Sequence, residues 1–449
     1  MSQALFDHID ENRPKYMDRL NALLSQPSLS SQNIGIEETA EHVAGLLRDL
    51  GAEVQIVPTD GHPVVVGDLK GKSEKTLSFY NHYDVQPPEP LELWESDPWK
   101  PEIRDGKLYA RGVADNKGNL VARINAVESY LAVHGELPCN VKFIVEGEEE
   151  IGSPNLDGFA EKHKDLIQSD GCIWEFGGTD LDKNPVITLG VKGITYIELS
   201  VQTSNADLHS SWAAVVPNPA WRLVWALQTI KGTDDRIQID GFYDGIDEPN
   251  DLDLEALQAL GFDEAGHRKN FGIDAFVNNL SGIDLLKKLY FEPTCTICGF
   301  ESGYIGEGAK TVSPNFAKVK LDFRMVPGQD PTRIVELLRK HLDSHGFEDI
   351  KVTRLAGEKA GRTPLDAPLA KLGVETAQEV YGKPSVLQPI SSGSGPMYTL
   401  CQQFGIPSIT SGCGYPGSQI HAPNEHIFVE DFWLSVKHAA LIVDRFASI

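Results

Sequence analysis

At 449 residues the chain is longer than one hydrophobic core usually organises, so two or three domains are expected. Hydrophobic residues make up 41% and charged residues 23%, which excludes a disordered or fibrous chain. With 65 Asp+Glu against 40 Lys+Arg the formal charge is −25, so nucleic acid and anionic membrane are excluded as partners by repulsion, whereas cations are tolerated.

The first 24 residues scatter Leu5, Ile9, Leu20 and Leu24 among acids and bases, without the unbroken apolar core of a signal peptide, and a cytoplasmic protein is expected. No stretch approaches the roughly 20 apolar residues needed to cross a bilayer. Six scattered cysteines suit a reducing compartment, and the single Cys-x-x-Cys, Cys295 with Cys298, has no second pair to complete a zinc site. Residues 36–50 repeat apolar positions at helical spacing, with Gly51 as a left-handed stop. Residues 76–81, 140–145 and 171–174 read as short buried strands, and 117–133 carries Leu120, Val121, Ile124, Val127 and Leu131 on one helical face.

This alternation predicts an α/β fold, a mixed sheet with helices on both faces, in which ligands gather beyond the C-terminal ends of strands. A strand near Gly193, a long acidic helical stretch over 251–289 and a closing strand-helix-strand set predict an inserted α+β domain. After about Ala356 the pattern runs helix, Gly/Ser-rich loop (SSGSGPM), helix, short strand and a terminal helix over 429–446. The expected organisation is a first catalytic segment over 1–192, an inserted lid or dimerisation domain over 193–357, and a second catalytic segment over 358–449.

The potential ligands follow the strands. His82 and Asp84 stand in NHYDV, where a carboxylate can orient a metal-binding imidazole, although a lone His-x-Asp is more often a turn. Asp115 lies in RGVADNKG before the 117–133 helix, where it can equally cap that helix. VEGEEEIGS sets Glu146, Glu148, Glu149 and Glu150 together after a buried strand. A solvated acidic turn is the bland reading, but like charges held there cost energy unless a cation is present.

In order, H-x-D, R-G-x-x-D-x-K-G and E-G-x-E-E-x-G-S resemble the aminoacylase, carboxypeptidase G and carnosine-dipeptidase family of two-zinc metallohydrolases. DLHS around His209, GAKTVSP from Gly308, DFRMVP around Arg324 and IHAPNE around His421 extend the likeness over essentially the whole chain, towards cytosolic non-specific and carnosine-type dipeptidases. The resemblance implies two divalent ions per subunit, zinc with manganese or cobalt also fitting. Asp115 would bridge them, with His82 and Glu175 on one ion and Glu150 and His421 on the other. Some relatives carry Asp where this chain has Glu175.

The same resemblance makes Glu149 the general base, Asp84 the partner of His82, His209 a donor to the substrate carbonyl oxygen, and Arg324 the grip on the substrate carboxylate. The resemblance implies Thr311 and Ser394 as further substrate contacts and a cis peptide between Asp115 and Asn116. A homodimer is implied too, with His209 acting in the neighbouring subunit's site.

The expected reaction is hydrolysis of an amide next to a free carboxylate, most simply in a dipeptide. An N-acyl amino acid deacylase or desuccinylase would use the same metals. A non-catalytic metal-binding member would show a substituted ligand or base, and all these positions hold competent residues. One departure bears on the choice: where dipeptidases of this family often carry Arg-Glu-Gly-Gly-Ser, this chain reads Ile390-Ser391-Ser392-Gly393-Ser394, so groups expected near the substrate's amino end are missing.

Overall fold

The computed structural model describes residues 2–449. They fold into two units. The first comprises the residues up to Gly190 with Arg362–Ile390 and Pro396–Ile449, and the second Val191–Gly361 with Ser391–Gly395.

The first unit is built on a six-stranded sheet in the order Glu53–Val57, Val64–Leu69, Leu137–Glu146, Gly71–His82, Gly171–Trp174, Ser408–Thr410. The last four run parallel, and the two outer strands on the other side are antiparallel. Residues 77–82 and 141–146 are buried without interruption. Such a run needs both faces of the sheet covered, which is why these strands read as continuous apolar stretches rather than as alternations. Their side chains, Leu77, Phe79, Val141 and Phe143, join a core with Leu120 and Ile124 of the Lys117–His134 helix and Val436 and Leu441 of the Val429–Phe446 helix. Each such side chain contributes about 1.5–3 kcal/mol on burial.

The Lys117–His134 helix departs from a one-sided amphipathic reading, for Asn119, Arg123, Asn125 and Ser129 are buried as well. Arg123 satisfies its charge on strand ends. It donates to the Tyr80 carbonyl at 2.6 Å, to Asn81 Oδ1 at 2.7 Å and to the carbonyls of Glu175 and Ser411 at 3.0 and 3.1 Å. One buried guanidinium thus ties together the ends of three neighbouring parallel strands, a task that hydrophobic periodicity does not reveal.

The second unit has an antiparallel sheet in the order Thr294–Ser302, Phe316–Met325, Gly190–Gln202, Lys351–Glu358, with its own core of Ile197, Leu199, Val319, Leu321, Leu223 and Leu338. The acidic helical stretch over 251–289 comprises three helices, Asp251–Ala259, Glu264–Phe271 and Gly282–Phe291. Gly272, at φ 67°, ends the second of them in a conformation other residues reach only with strain. The Gly/Ser-rich segment expected to be a loop contains a strand, Ser391–Ser394, paired in parallel with the start of Gly190–Gln202 and grouped with the second unit. Its composition carries no β signal, and a pairing partner about 200 residues away supplies the structure instead. Among the described residues no helix is long and apolar enough to cross a membrane.

Candidate metal centre

The parallel strands deliver the ligands. His82 is the last residue of its strand, Glu149 and Glu150 form the turn after Leu137–Glu146, and Glu175 directly follows Gly171–Trp174. Asp115 ends the loop before the Lys117–His134 helix, its peptide to Asn116 is cis, and His421 comes from the loop before the His426–Phe428 strand.

Asp115 stands between the two imidazoles. Its Oδ1 lies 3.0 Å from His82 Nε2 and its Oδ2 3.1 Å from His421 Nε2. His82 Nε2 is also 3.5 Å from Glu175 Oε2, and His421 Nε2 is 3.0 Å from Glu150 Oε2. Two ligands on one tetrahedral zinc, with bonds of about 2.0–2.1 Å, stand about 3.3 Å apart, so these separations fit pairs of donors sharing an ion. Glu149 Oε2 stands farther off, 4.0 Å from His82 Nε2.

Two further observations fit the same donor set. Glu150 Oε1 and Glu175 Oε2 are buried without a hydrogen-bond partner, an arrangement that costs energy in an apoprotein and that a cation relieves. His82 faces acceptors on both sides, the Asp84 carbonyl at 3.0 Å from Nδ1 and Asp115 from Nε2, so without an ion the ring must carry two protons. With an ion at Nε2, the Nδ1–H bond to Asp84 holds the tautomer that ligation requires.

The electrostatics follow from crowding acids in a dry site. Burial, then the neighbouring Asp115 and Glu150 charges, push Glu175 up to about 8 against the pull of His82, and burial with Glu175 raises Glu149 well above the carboxylate range. Hydrogen bonds to Asp115 and Glu150 lift His421 to about 10. Burial would raise Asp115, but hydrogen bonds from His421 and His82 outweigh it and hold its carboxyl far below the usual range. In the metal-free protein, protonated imidazoles stand where ions would supply positive charge.

The structure separates the four glutamates that the sequence sets together. Glu149 and Glu150 face the cluster. Glu146 instead accepts the Tyr80 hydroxyl and Ser153 Oγ, and burial takes it to about 8, while Glu148 is held by Asn155 at 2.8 and 3.1 Å. The charge-repulsion argument for a cation therefore applies to only half of that motif. Asp84 also does more than orient His82. Its carboxylate is 3.4 Å from His82 Nδ1, and it accepts the backbone N–H groups of Glu149 and Glu150 at 3.3 and 3.1 Å, holding the turn that presents both.

The remaining predicted positions lie in the second unit, in two pairs. His209 is exposed, its Nδ1 2.9 Å from Ser211 Oγ and its Nε2 3.3 Å from Thr311 Oγ1, brought together by pairing of the Leu208–His209 and Val312–Ser313 strands. Arg324 donates from Nη1 to Ser394 Oγ at 2.9 Å and from Nε to Asp322 at 3.2 Å. The strand pairing of Ser391–Ser394 makes the first of these bonds reachable across 70 residues of chain.

Residues to which the motifs assign no role support the centre from behind. Asn116 donates to the Glu175 carbonyl at 2.9 Å and accepts from Asn81, and Glu425 binds the loop that carries Asp115. Asn116, Arg111 and Glu425 all stand inside the motifs quoted above, and the available signal was a charged or amide side chain placed among glycines and prolines.

An α/β sheet whose parallel strand ends converge on a carboxylate set between two imidazoles defines a candidate dinuclear-metal hydrolase. The chain belongs to the peptidase family M20/M25/M40, whose model matches residues 78–445. It is 30% identical over 362 residues to the human Beta-Ala-His dipeptidase, covering 76% of this chain and 71% of the relative. It is 26% identical to the Cys-Gly metallodipeptidase dug1 of Schizosaccharomyces pombe, over 99% of this chain and 98% of that one. Among solved structures, an M20 family metallo-carboxypeptidase from Sulfolobus solfataricus matches with a TM-score of 0.92 and 37% identity, over 97% of this chain and 99% of that one.

Proposed function

We propose that this chain is a dipeptidase that uses two divalent metal ions, zinc in the first instance, to cut an amide bond next to a free carboxylate. The observation that carries the reading is Asp115, with one oxygen toward His82 and the other toward His421. In this reading Asp115 would contact both ions, with His82 and Glu175 holding one and Glu150 and His421 the other. Bound ions would polarise the scissile carbonyl and lower the pKa of a water molecule toward about 7. Glu149, on a turn whose backbone Asp84 holds, would take a proton from the attacking water and deliver it to the leaving amine, although its carboxylate also stands among His82 and Glu175 at a spacing that could hold an ion. His209 donates to the oxygen on which negative charge develops, with Thr311 holding its ring. Arg324, braced by Ser394 and Asp322, grips the substrate carboxylate.

We further propose a homodimer in which His209 serves the partner's site. Trp212, Val215, Trp221 and Trp225 are more than half exposed, and Trp221 and Trp225 sit one turn apart on the Pro219–Ile230 helix, an apolar face that a second copy would cover. The cytoplasm is the proposed compartment, supported by six free cysteines.

A second reading has its own support. Ile390 and Ser391 stand where Arg and Glu are common near the amino end of the substrate, and a solved relative is named a metallo-carboxypeptidase. An enzyme of this kind would accept N-blocked or longer substrates. Assaying zinc- and manganese-loaded protein on free dipeptides and their N-acyl counterparts decides between them. The dipeptidase reading requires at least tenfold preference for the free amine, and equal rates would replace it with the second reading.

The shared-site proposal is tested by mixing. His209→Ala and Glu149→Ala should each be inactive as pure proteins. Random reassortment of equal amounts makes about half the dimers mixed, each with one intact site in two, so about a quarter of wild-type activity should return. No recovery despite demonstrated subunit exchange would mean that His209 acts within its own chain or has no part in the reaction.

A further inference from the structure

Glu425 is 1% exposed, and its carboxylate gathers four donors from one short stretch of chain. Oε1 accepts the backbone N–H of Ala114 at 2.8 Å and of Asp115 at 3.1 Å, while Oε2 accepts the N–H of Gly112 at 2.9 Å and Arg111 Nη1 at 2.8 Å. Four residues earlier in the same loop stands His421. The pairing of His426–Phe428 with Lys107–Tyr109 continues into this clasp through the Ala110 N–H to the Glu425 carbonyl at 3.2 Å. One carboxylate therefore joins the loop of Asp115 to the loop of His421.

The His421 loop also stores strain. Gln419, His421 and Asn424 all adopt left-handed backbone, with φ of 54°, 62° and 61°, a conformation that non-glycine residues keep only where their surroundings enforce it. Asn424 pins the C-terminal end of the loop, donating to the Leu93 carbonyl and accepting the Glu95 N–H, each at 2.8 Å, and the adjacent Glu425 clasps the same end. Arg111, itself 1% exposed, balances the buried charge, so the clasp carries no uncompensated ion.

We propose that Glu425 is a positioning residue that sets the separation of Asp115 from His421 before any ion arrives, so that the protein binds metal into a preformed gap. The proposal rests on the metal-centre reading above. It gives Glu425 no contact with substrate; its action passes through the two ligands.

Hydrogen exchange on the wild-type protein tests it without any substitution. The amides of Gly112, Ala114 and Asp115 should stay protected after chelation of metal, and exchange at loop rates in the metal-free protein would overturn the proposal. Glu425→Gln turns one acceptor oxygen into a donor facing donors. Titrated with cobalt(II) alone, the folded variant should bind about ten- to a hundredfold more weakly, with an altered visible absorption spectrum and a lower kcat at unchanged KM. Glu425→Asp, which keeps the charge, should recover part of the affinity. Wild-type cobalt affinity and spectrum in folded Glu425→Gln would overturn the proposal, whereas failure of the wild-type protein to bind cobalt would instead remove the metal-centre reading on which it rests.

Discussion

The two units hold their candidate functional residues in different ways. In the first, His82 and Asp84 are fully buried and Glu150 and Glu175 nearly so, each fixed by a strand end or by a backbone hydrogen bond, with His421 the half-exposed exception. In the second, His209 is exposed at the end of a two-residue strand, Thr311 is exposed just before another, and Arg324 keeps about a third of its side chain in solvent. Groups that must present a fixed charge pattern to an ion gain from rigidity, because displacement of a ligand weakens every bond to the metal. Groups proposed to meet a substrate need a free face, and they keep one while leaning on two polar neighbours each, Ser394 and Asp322 for Arg324 and Ser211 and Thr311 for His209.

The sharpest way to break this comparison is at Glu149. Glu149→Gln should cut kcat by about 10²–10⁴ while the protein retains both ions, since the residue is proposed as a base and not a ligand. Metal analysis alongside the assay checks it, and a fall to one ion per chain would exchange the roles of Glu149 and Glu150.

Arg324→Ala probes the second unit. Loss of a charge-assisted hydrogen bond worth about 1.5–3 kcal/mol should lower kcat/KM roughly ten- to a hundredfold, mostly through KM. Ser394→Ala, which removes only the brace, should cost less in the same assay, and equal losses would mean that the brace is itself a substrate contact.

A smaller effect concerns pH. Glu175 and His421 bind their protons more tightly folded than unfolded, with folded values of about 8 and about 10. The stability they contribute is fully present below their ordinary values of 4.5 and 6.5, and is lost as pH rises through about 8 and about 10. Half of the His421 ring faces solvent, which screens its part, so the buried Glu175 and Glu146, both near 8, carry the larger share, while Lys117 and Lys192, lowered by burial to about 7 and about 8, oppose them. Asp115, held low, acts in the opposite sense and only in acid. Thermal midpoints of the chelated protein should therefore fall between pH 6 and 9, and added zinc, which takes the deprotonated ligands, should flatten or reverse that fall. A midpoint independent of pH without metal would show that these acids are not crowded as described.

Much of the first unit is legible in the sequence because its signals are local. The strand at 171–174 and the terminal helix over 429–446 have the bounds that apolar runs and helical spacing indicate. The positions His82, Asp115, Glu149, Glu150, Glu175 and His421 are legible through ordered motifs, and the fold brings them within a few ångströms. Periodicity could not show that Arg123 would be buried on strand ends, nor that Glu146 would turn to Tyr80 while Glu149 faces the cluster, because alternate residues after a strand point apart only once the turn is built.

The alternation of strand-like and helix-like segments by itself determined the α/β class, and the order of motifs named the residues proposed to hold metal. Tertiary structure decided which atoms meet: that Asp115 offers one oxygen to each imidazole, that Asp84 binds the backbone of the Glu149 turn, that Ser391–Ser394 is a strand bringing Ser394 to Arg324, and that Glu425 joins two ligand loops over 300 residues apart in the chain. The physical reason is that hydrophobic pattern is written in neighbouring residues, whereas a buried polar group takes its partner from whatever distant backbone the fold presents, and that partner has no position in a local pattern.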